Sequence, residues 1–382
     1  MKYPYLAPTF FVLILSSCTV KSGIGSLSIA SADTRIISTS FLPAGEVENV
    51  DLTELRKPLA LLGSEGGLEK LRGFDLIQDE IDFSFYTVQN KKLLTRIGKP
   101  FSSFSSFHSR EAFPVAASYY ALWYDAEVLE GLGITVPASW DELINLVPAL
   151  KQKDLQALSV SAMNGWPLAL WFAYADIRLN GSAAYQERLE GKRSFSEAVN
   201  ALEELIRLYD QGAIAPNSGQ KTWVDSWDEL MEGRALFCLL PSFVVDRIPS
   251  NRRIAALRVP VARGQGRGEL SIVSAFFIPV SSRNPGGARS FVREYVRQGA
   301  PQLADGRSRL SLIIPGNRAD RALSPGQRIL DGADRLLLPP DRGLSPQFSY
   351  DAMLLFAELA RNLDEGKPVK ASEYCQRLEG LR

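Results

Sequence analysis

The chain has 382 residues, 46% of them hydrophobic and 23% charged, and its 43 Lys and Arg equal its 43 Asp and Glu. That length is enough for two globular units, and the even charge balance gives no field that would gather nucleic acid or acidic lipid. A single histidine, His108, and three cysteines leave little material for a metal centre or a nucleophile, which weakens an enzyme reading without closing it, since hydrolases can run on carboxylates; no metal, cofactor or catalytic residue is assigned.

The first predicted element is a targeting segment. Lys2 precedes the apolar run Phe10–Leu15, which is too short for a bilayer span of ~20 residues. A charged start, a short apolar core and small residues before a cut site describe a secretory signal. Leu15-Ser16-Ser17-Cys18 also resembles a bacterial lipobox. Residues 1–17 are then the signal, Cys18 carries the lipid, and the small, polar residues 18–30 are the tether. The mature chain is expected in the bacterial cell envelope, anchored to the membrane through Cys18 and facing the periplasm or extracytoplasmic space. A plain signal peptide that happens to contain a cysteine is the other reading. Cys238 lies in the apolar run Ala235–Leu240 and Cys375 in a helical tail, so two separately buried thiols are expected in preference to a disulfide.

Arg35–Ser40 reads as a strand, Pro43 and Gly45 as a turn, and Asp51–Leu62 as helix-prone. Residues 64–112 carry no readable pattern, and Phe101–His108 is read as a loop or strand edge. Tyr120–Asp125 is a buried strand. Asp125 can N-cap a short helix whose Val128, Leu129 and Leu132 share a face, and Gly133 suits the left-handed residue that ends it. Ser139 and Glu142 form an S-x-x-E capping box before a helix over Trp140–Leu150. Ser194 and Glu197 repeat the pattern and open a helix with Phe195, Ala198, Val199, Leu202, Leu205, Ile206 and Tyr209 at 3.6-residue spacing, stopping at Gly212. Ser226 and Glu229 repeat it again for a short helix closed by Gly233, and Arg234–Leu240 is a buried strand. Asn284 and Pro285 start a helix that stops at Gly299, and Tyr350–Leu363 is another, ending in Gly366-Lys367-Pro368. Strands alternating with helices of this length mean α/β layers.

Several of these segments, in this order, resemble one family. Tyr120-Ala121-Leu122-Trp123-Tyr124-Asp125, then Gly133, then Pro137 through Trp140-Asp141-Glu142-Leu143 is the most specific. Trp227–Phe237, Gly268–Ile272 leading to Ile278–Pro285, Ile314-Pro315-Gly316-Asn317 and the C-terminal helix follow in register, and Ile36–Leu52 is a weaker match. The chain is similar to bacterial extracellular solute-binding proteins of ABC importers, the group that contains maltose- and other sugar-binding proteins. The resemblance implies an α/β fold of the two-lobed periplasmic-binding-protein type II, with hinge-linked lobes. The first lobe is expected to be shortened by a βα unit, because hardly any chain precedes Arg35 to build it. Residues 31–116 are the first part of lobe one, 117–264 the first part of lobe two, 265–315 the second part of lobe one and 316–382 the second part of lobe two. Crossings are expected near Val115–Ser118, Gly264–Leu270 and Leu312–Gly316.

Carbohydrate sites combine flat aromatic faces with a few polar groups, because the C–H face of a pyranose sheds water onto a ring while its hydroxyls need hydrogen-bond partners. Trp166, flanked by Gly165 and Pro167, is the leading ligand-binding candidate, and the family often carries a stacking aromatic there. Tyr119 and Tyr120 lie beside the implied crossing. Phe243 stands where many sugar binders carry a Trp, keeping the ring face but lacking the N–H. Trp223 is placed at the rim, while Trp171 and Trp227 read as packing. Ser40 and Ser274 are polar candidates from the first lobe, and the C-terminal aromatic is Phe348 or Tyr350. His108, with no placed nucleophile, is not read as a catalytic base, and Gly264–Gly268 lacks a Gly-Lys-Ser/Thr ending and reads as a hinge loop. Glu203 and Glu204 fall on a solvent face.

The resemblance implies a lipid-anchored, non-enzymatic, monomeric component of an ABC importer. Its partners are a small solute, a sugar first among them, and the permease subunits, with no nucleic acid. An alternative keeps the fold but binds a host or other macromolecular partner and no longer serves transport. A carboxylate-based glycoside hydrolase is a further rival, for which no convincing carboxylate pair is visible.

Overall fold

The computed structural model describes residues 14–17, 29–31, 48–51, 75–80, 94–95, 112–260, 266–295, 310–311, 325–331, 333–342 and 346–382. The strands are β1 (Ile14–Ser17), β2 (Ile29–Ser31), β3 (Glu48–Asp51), β4 (Leu76–Glu80), β5 (Leu94–Thr95), β6 (Ala112–Asp125), β7 (Gln156–Ser159), β8 (Ala235–Pro241), β9 (Ile254–Leu257), β10 (Glu269–Pro279), β11 (Leu310–Ser311) and β12 (Leu336–Leu337). The α-helices are α1 (Ala126–Leu132), α2 (Trp140–Lys151), α3 (Trp166–Asn180), α4 (Ser182–Leu189), α5 (Val199–Asp210), α6 (Trp223–Met231), α7 (Pro285–Glu294), α8 (Pro325–Asp331), α9 (Pro346–Asp364) and α10 (Ala371–Gly380). The molecule is α/β, as expected.

β1, the end of the predicted signal, pairs antiparallel with β3, Ile14 opposite Asp51. Cys18, Ser40, His108 and the helix-prone stretch after Asp51 lie outside the described residues. So do most of residues 64–112, Gly299 and the crossing at Leu312–Gly316, and with them the proposed shortening of the first lobe.

The remaining ten strands form one sheet system in the order β2-β4-β10-β6-β8-β7, with β9 and β11 also on β6 and with β5 and β12 on β10. β6 holds it together. Its first part pairs with β10 from Ala112↔Phe277 to Tyr119↔Ser271. From Tyr120↔Pro241 to Trp123↔Cys238 it pairs with β8, and Leu122–Asp125 pairs with β9. The change of partner therefore falls between two adjacent residues, Tyr119 and Tyr120. β10 behaves similarly: Glu269 and Leu270 run parallel to Leu336 and Leu337 of β12, and Ser271 begins the ladder with β6.

Alternation along β6 separates two cores. Tyr120 and Leu122 belong to the larger one, built on α3, which is buried from Pro167 through Arg178 because it is apolar nearly all round. Trp140 and Trp171 meet there edge to face at 5.8 Å, and Phe172 meets Phe356 at 5.4 Å. Tyr119, Ala121 and Trp123 face a second cluster with Trp227, Leu230, Cys238, Leu240, Val244 and Ile329. Cys238 and Cys375 are both buried and free, as the sequence suggested.

The helix caps separate sound expectations from unsound ones. Asp125 Oδ1 accepts from the N–H groups of Glu127 and Val128 at 2.9 and 3.3 Å, and Gly133 ends α1 with φ 67°. Ser139 Oγ accepts from Glu142 N–H at 3.1 Å, but the Glu142 carboxylate reaches Ala138 N–H at 2.8 Å, so the reciprocal half of the box closes one residue earlier than expected. At Ser194 no box forms. Its hydroxyl caps Ser196 N–H at 3.0 Å, Glu197 turns outward to Arg193, and a 3-10 turn over Phe195–Ala198 precedes α5. Nor do Ser226 and Glu229 open a helix. They lie inside α6, whose capping box is made by Thr222 and Asp225 four residues earlier.

Candidate functional site

β7 and β8 run parallel, and the chain leaves their carboxyl ends into two turns that carry aromatic rings. After β7 comes Asn164-Gly165-Trp166. Gly165 has φ 75°, and a Cβ there would stand 1.8 Å from the Met353 carbonyl oxygen of α9, so only glycine lets Trp166 start α3 at this place. After β8 comes Ser242-Phe243, opening a 3-10 turn that ends at Arg247. The open crevice outside such strand ends is where α/β sheets bind ligands, since backbone and helix termini point there.

A third segment, Asn217–Thr222, is stitched to the first. Ala162 N–H donates to Ser218 C=O at 2.7 Å and Met163 N–H to Lys221 C=O at 3.1 Å. Lys221 Nζ is 2.8 Å from Glu229 Oε2, which also accepts from Ser159 Oγ at 2.5 Å, all three side chains being buried. This anchor fixes Thr222, whose side chain and that of Asp225 cap α6 reciprocally, and so sets Trp223 on the first turn of α6. Trp223 meets Phe243 edge to face at 4.9 Å and 79°, and the Arg247 guanidinium lies 4.7 Å from the Trp223 ring centre.

Tyr119 joins from β6. Its N–H donates to Ser242 Oγ at 3.2 Å, tying the site's strand to the turn that carries Phe243. Its ring lies 6.1 Å from Trp123 and against α8, where a Cβ on Gly326 would come within 2.2 Å of Tyr119 Cε1. Burial pushes the Tyr119 phenol up to about 12, so it remains a neutral donor across physiological pH. Below it the Trp123 indole N–H is satisfied by Leu240 C=O at 2.9 Å.

Of the candidates named from sequence, Tyr119, Trp166, Trp223 and Phe243 share one aromatic cluster, Tyr119 within it and the other three half-buried on its margin. Tyr120 points to the opposite side of β6, into the α3 core. Ser274 is buried inside β10, opposite Glu80 and Ala116. Phe348 is packing, stacked on Phe195 at 5.5 Å, whereas Tyr350 is 59% exposed. Trp171 and Trp227 are core residues, as read. Sequence reasoning passed over Ser242, Gly326 and Arg247. Ser242 was visible in Pro241-Ser242-Phe243, but nothing local marks Gly326 or Arg247 as neighbours of these rings. No group of three His, Cys, Asp or Glu able to hold a metal occurs among the described residues.

Comparison with known proteins points to one family and one fold. The family model described as bacterial extracellular solute-binding protein matches residues 40–317. The multiple sugar-binding protein of Streptococcus mutans is 25% identical over 100 residues, so the chain spans about a quarter of that relative, 24% of its length and 26% of its own. Among solved structures, the bacterial solute receptor AcbH, with its exclusive preference for β-D-galactopyranose, superposes with a TM-score of 0.72 at 15% identity, covering 91% of this chain and 92% of that one. A chitin oligosaccharide binding protein gives a TM-score of 0.67 at 12% identity, with 88% of each chain covered. The shared architecture is the two-lobed α/β fold, and with the family model matched over more than half its length, this chain belongs to the bacterial extracellular solute-binding proteins.

Proposed function

We propose that the protein is the lipid-anchored substrate-binding component of an ABC importer, which captures a carbohydrate between its lobes and delivers it to the permease. One observation carries the reading. Tyr119, Trp166, Trp223 and Phe243, drawn from a shared strand and three separate turns, meet at the carboxyl ends of β7 and β8 beside the residues where β6 changes sheets. The half-buried rings of Trp166, Trp223 and Phe243 at such an edge offer the flat apolar faces that a pyranose needs, with the buried Tyr119 and Ser242 supporting them from beneath. The sugar-binding relatives support the class of ligand.

Capture works through a hinge equilibrium. Ligand that touches both lobes only in the closed form shifts the population by its differential affinity for that form. The closed form then docks on the permease. Transport is completed there, and no bond is made or broken in the receptor. Acylation at Cys18 holds the receptor near its permease at the membrane surface.

Mass spectrometry of small molecules that copurify with the mature protein tests the proposal, followed by thermal shift against mono- and oligosaccharides. A copurifying sugar that raises Tm and changes tryptophan emission supports it. No response to any sugar, together with tight retention of a macromolecular partner, overturns it in favour of a non-transport role for the same fold.

A further inference from the structure

Resting on the carbohydrate reading, we infer that this receptor selects anionic sugars, with Arg247 supplying the charge that recognises a carboxylate or phosphate substituent. The carrying observation is the state of the Arg247 guanidinium within the aromatic site. It is exposed, sits 4.7 Å from the centre of the Trp223 ring, and belongs to the same turn as Phe243, which itself contacts Trp223 at 4.9 Å. No carboxylate lies within ion-pair distance of it among the described residues. Its neighbours along the chain differ: Arg252 pairs with Asp125 at 3.3 Å and Arg253 with Glu130 at 3.0 Å. Asp225, two residues beyond Trp223 on α6, is committed to the Thr222 cap, accepting from Thr222 N–H and Oγ1 at 2.7 Å each.

A guanidinium whose donors have no partner among the described residues, resting on a ring proposed as a sugar platform, has a defined preference. A neutral sugar that stacks on Trp223 must displace the cation and offers it only hydroxyl oxygens in return. A uronate or sugar phosphate lets the guanidinium leave the ring face for a charge-assisted, bidentate pair with the anion, which is stronger than the ring contact it replaces. The planar fork suits both carboxylate and phosphate, so the shared chemistry is an oxyanion on a pyranose. The overall charge balance of the chain does not oppose this, because the selection is made by a local group and not by the net field.

Isothermal titration with matched sets tests the inference: D-galactose, D-galacturonate and galactose 6-phosphate, and the corresponding glucose set, against the wild type, Arg247→Met and Arg247→Lys. At least one anionic member is expected to bind about tenfold or more tightly than its neutral parent. The advantage shrinks at high salt, falls to near parity in Arg247→Met, and is intermediate in Arg247→Lys, which keeps the charge but not the fork. The uronate and phosphate arms decide which anion is preferred. Neutral sugars binding as tightly as both anions, or a preference for the anion that persists in Arg247→Met, overturns the selection while leaving the carbohydrate reading intact. Binding of no sugar of any kind removes both. Arg247 is exposed, so unchanged far-UV circular dichroism in the variants separates lost recognition from lost fold.

Discussion

Arg178 Nη2 lies 2.7 Å from Glu269 Oε1, joining the end of α3 to the first residue of β10, and the two side chains are only 2% and 1% exposed. The contact is one part of a larger grip on the segment that leads into β10. Arg178 Nη1 donates to the carbonyls of Gly266 and Gly268 at 3.1 and 2.6 Å, Nη2 reaches Val259 C=O at 3.4 Å, and Tyr174 Oη donates to Glu269 Oε2 at 3.2 Å. Gly268 has no room for a side chain, since a Cβ would stand 2.5 Å from Ser182 Oγ and 2.7 Å from Leu337 Cδ1. The segment before Glu269 is therefore held to α3, and the hinge proposed above would begin beyond it, where β10 leaves β12 for β6.

Removing Arg178 leaves the buried Glu269 carboxylate with one cationic partner, Arg258, whose Nε lies 3.2 Å from Oε1. Arg178→Met is expected to lower unfolding stability by about 3 kcal/mol in a denaturant titration, the low end for a broken buried pair because Arg258 remains. Adding Glu269→Gln to Arg178→Met should recover part of that loss, because the buried carboxylate, by then held by Arg258 alone, disappears. Strict additivity of the two substitutions would mean that they do not interact.

The two hydroxyls near the start of α6 make opposite predictions. Thr222→Ala removes a cap whose side chain accepts from Asp225 N–H, and should cost about 1 kcal/mol. Ser226 is fully buried and its hydroxyl has no hydrogen-bond partner among the described residues, so Ser226→Ala should be neutral or slightly stabilising. Chemical denaturation of both variants decides it. A larger loss at Ser226 than at Thr222 would restore the cap to the position the sequence pattern suggested.

That pair of residues also explains what sequence can and cannot give. The caps at Asp125, Ser139 and Gly133 are legible because the interaction is local, a side chain answering backbone groups two or three residues away. Ser226-x-x-Glu229 is the same string placed one helical turn too late, and only the competing Thr222-x-x-Asp225 shows it to be helix interior. Period-two alternation says that Tyr119 and Tyr120 face opposite ways, but not which layer covers each. The ring of Tyr119 is selected by Gly326, more than 200 residues away in the chain. Arg178 and Arg247 belong to no motif, and Glu269 lies in the family-like Gly268–Ile272 with nothing local to name its partners; the roles of all three exist only once distant segments have met.

The thiols report burial and lipidation together. Burial pushes the Cys375 thiol up to about 12 and raises that of Cys238 further, so neither forms thiolate near pH 8 in the folded protein. Ellman's reagent should leave both untouched until denaturant is added. Full unfolding then exposes two reactive thiols if Cys18 is acylated and three if it is free. Rapid reaction in the native protein at Cys238 or Cys375 would contradict the packing around them.

Tyr119 links the site to pH at the alkaline end. An ordinary tyrosine loses its proton near 10, whereas burial holds the folded Tyr119 phenol to about 12. Above pH 10 the unfolded chain releases a proton that the folded chain keeps, so unfolding is favoured increasingly as pH rises from 10 to 12 and the effect levels off beyond. Tyr119→Phe removes the phenol but keeps the ring against Trp123 and Gly326. Its stability should therefore fall less steeply than that of the wild type across this window, with the two curves running parallel below pH 10. Denaturant midpoints measured every half unit from pH 8 to 12 read the difference directly. Identical slopes would mean that water reaches the phenol, and the ring would then lie on the open face of the site and not beneath it.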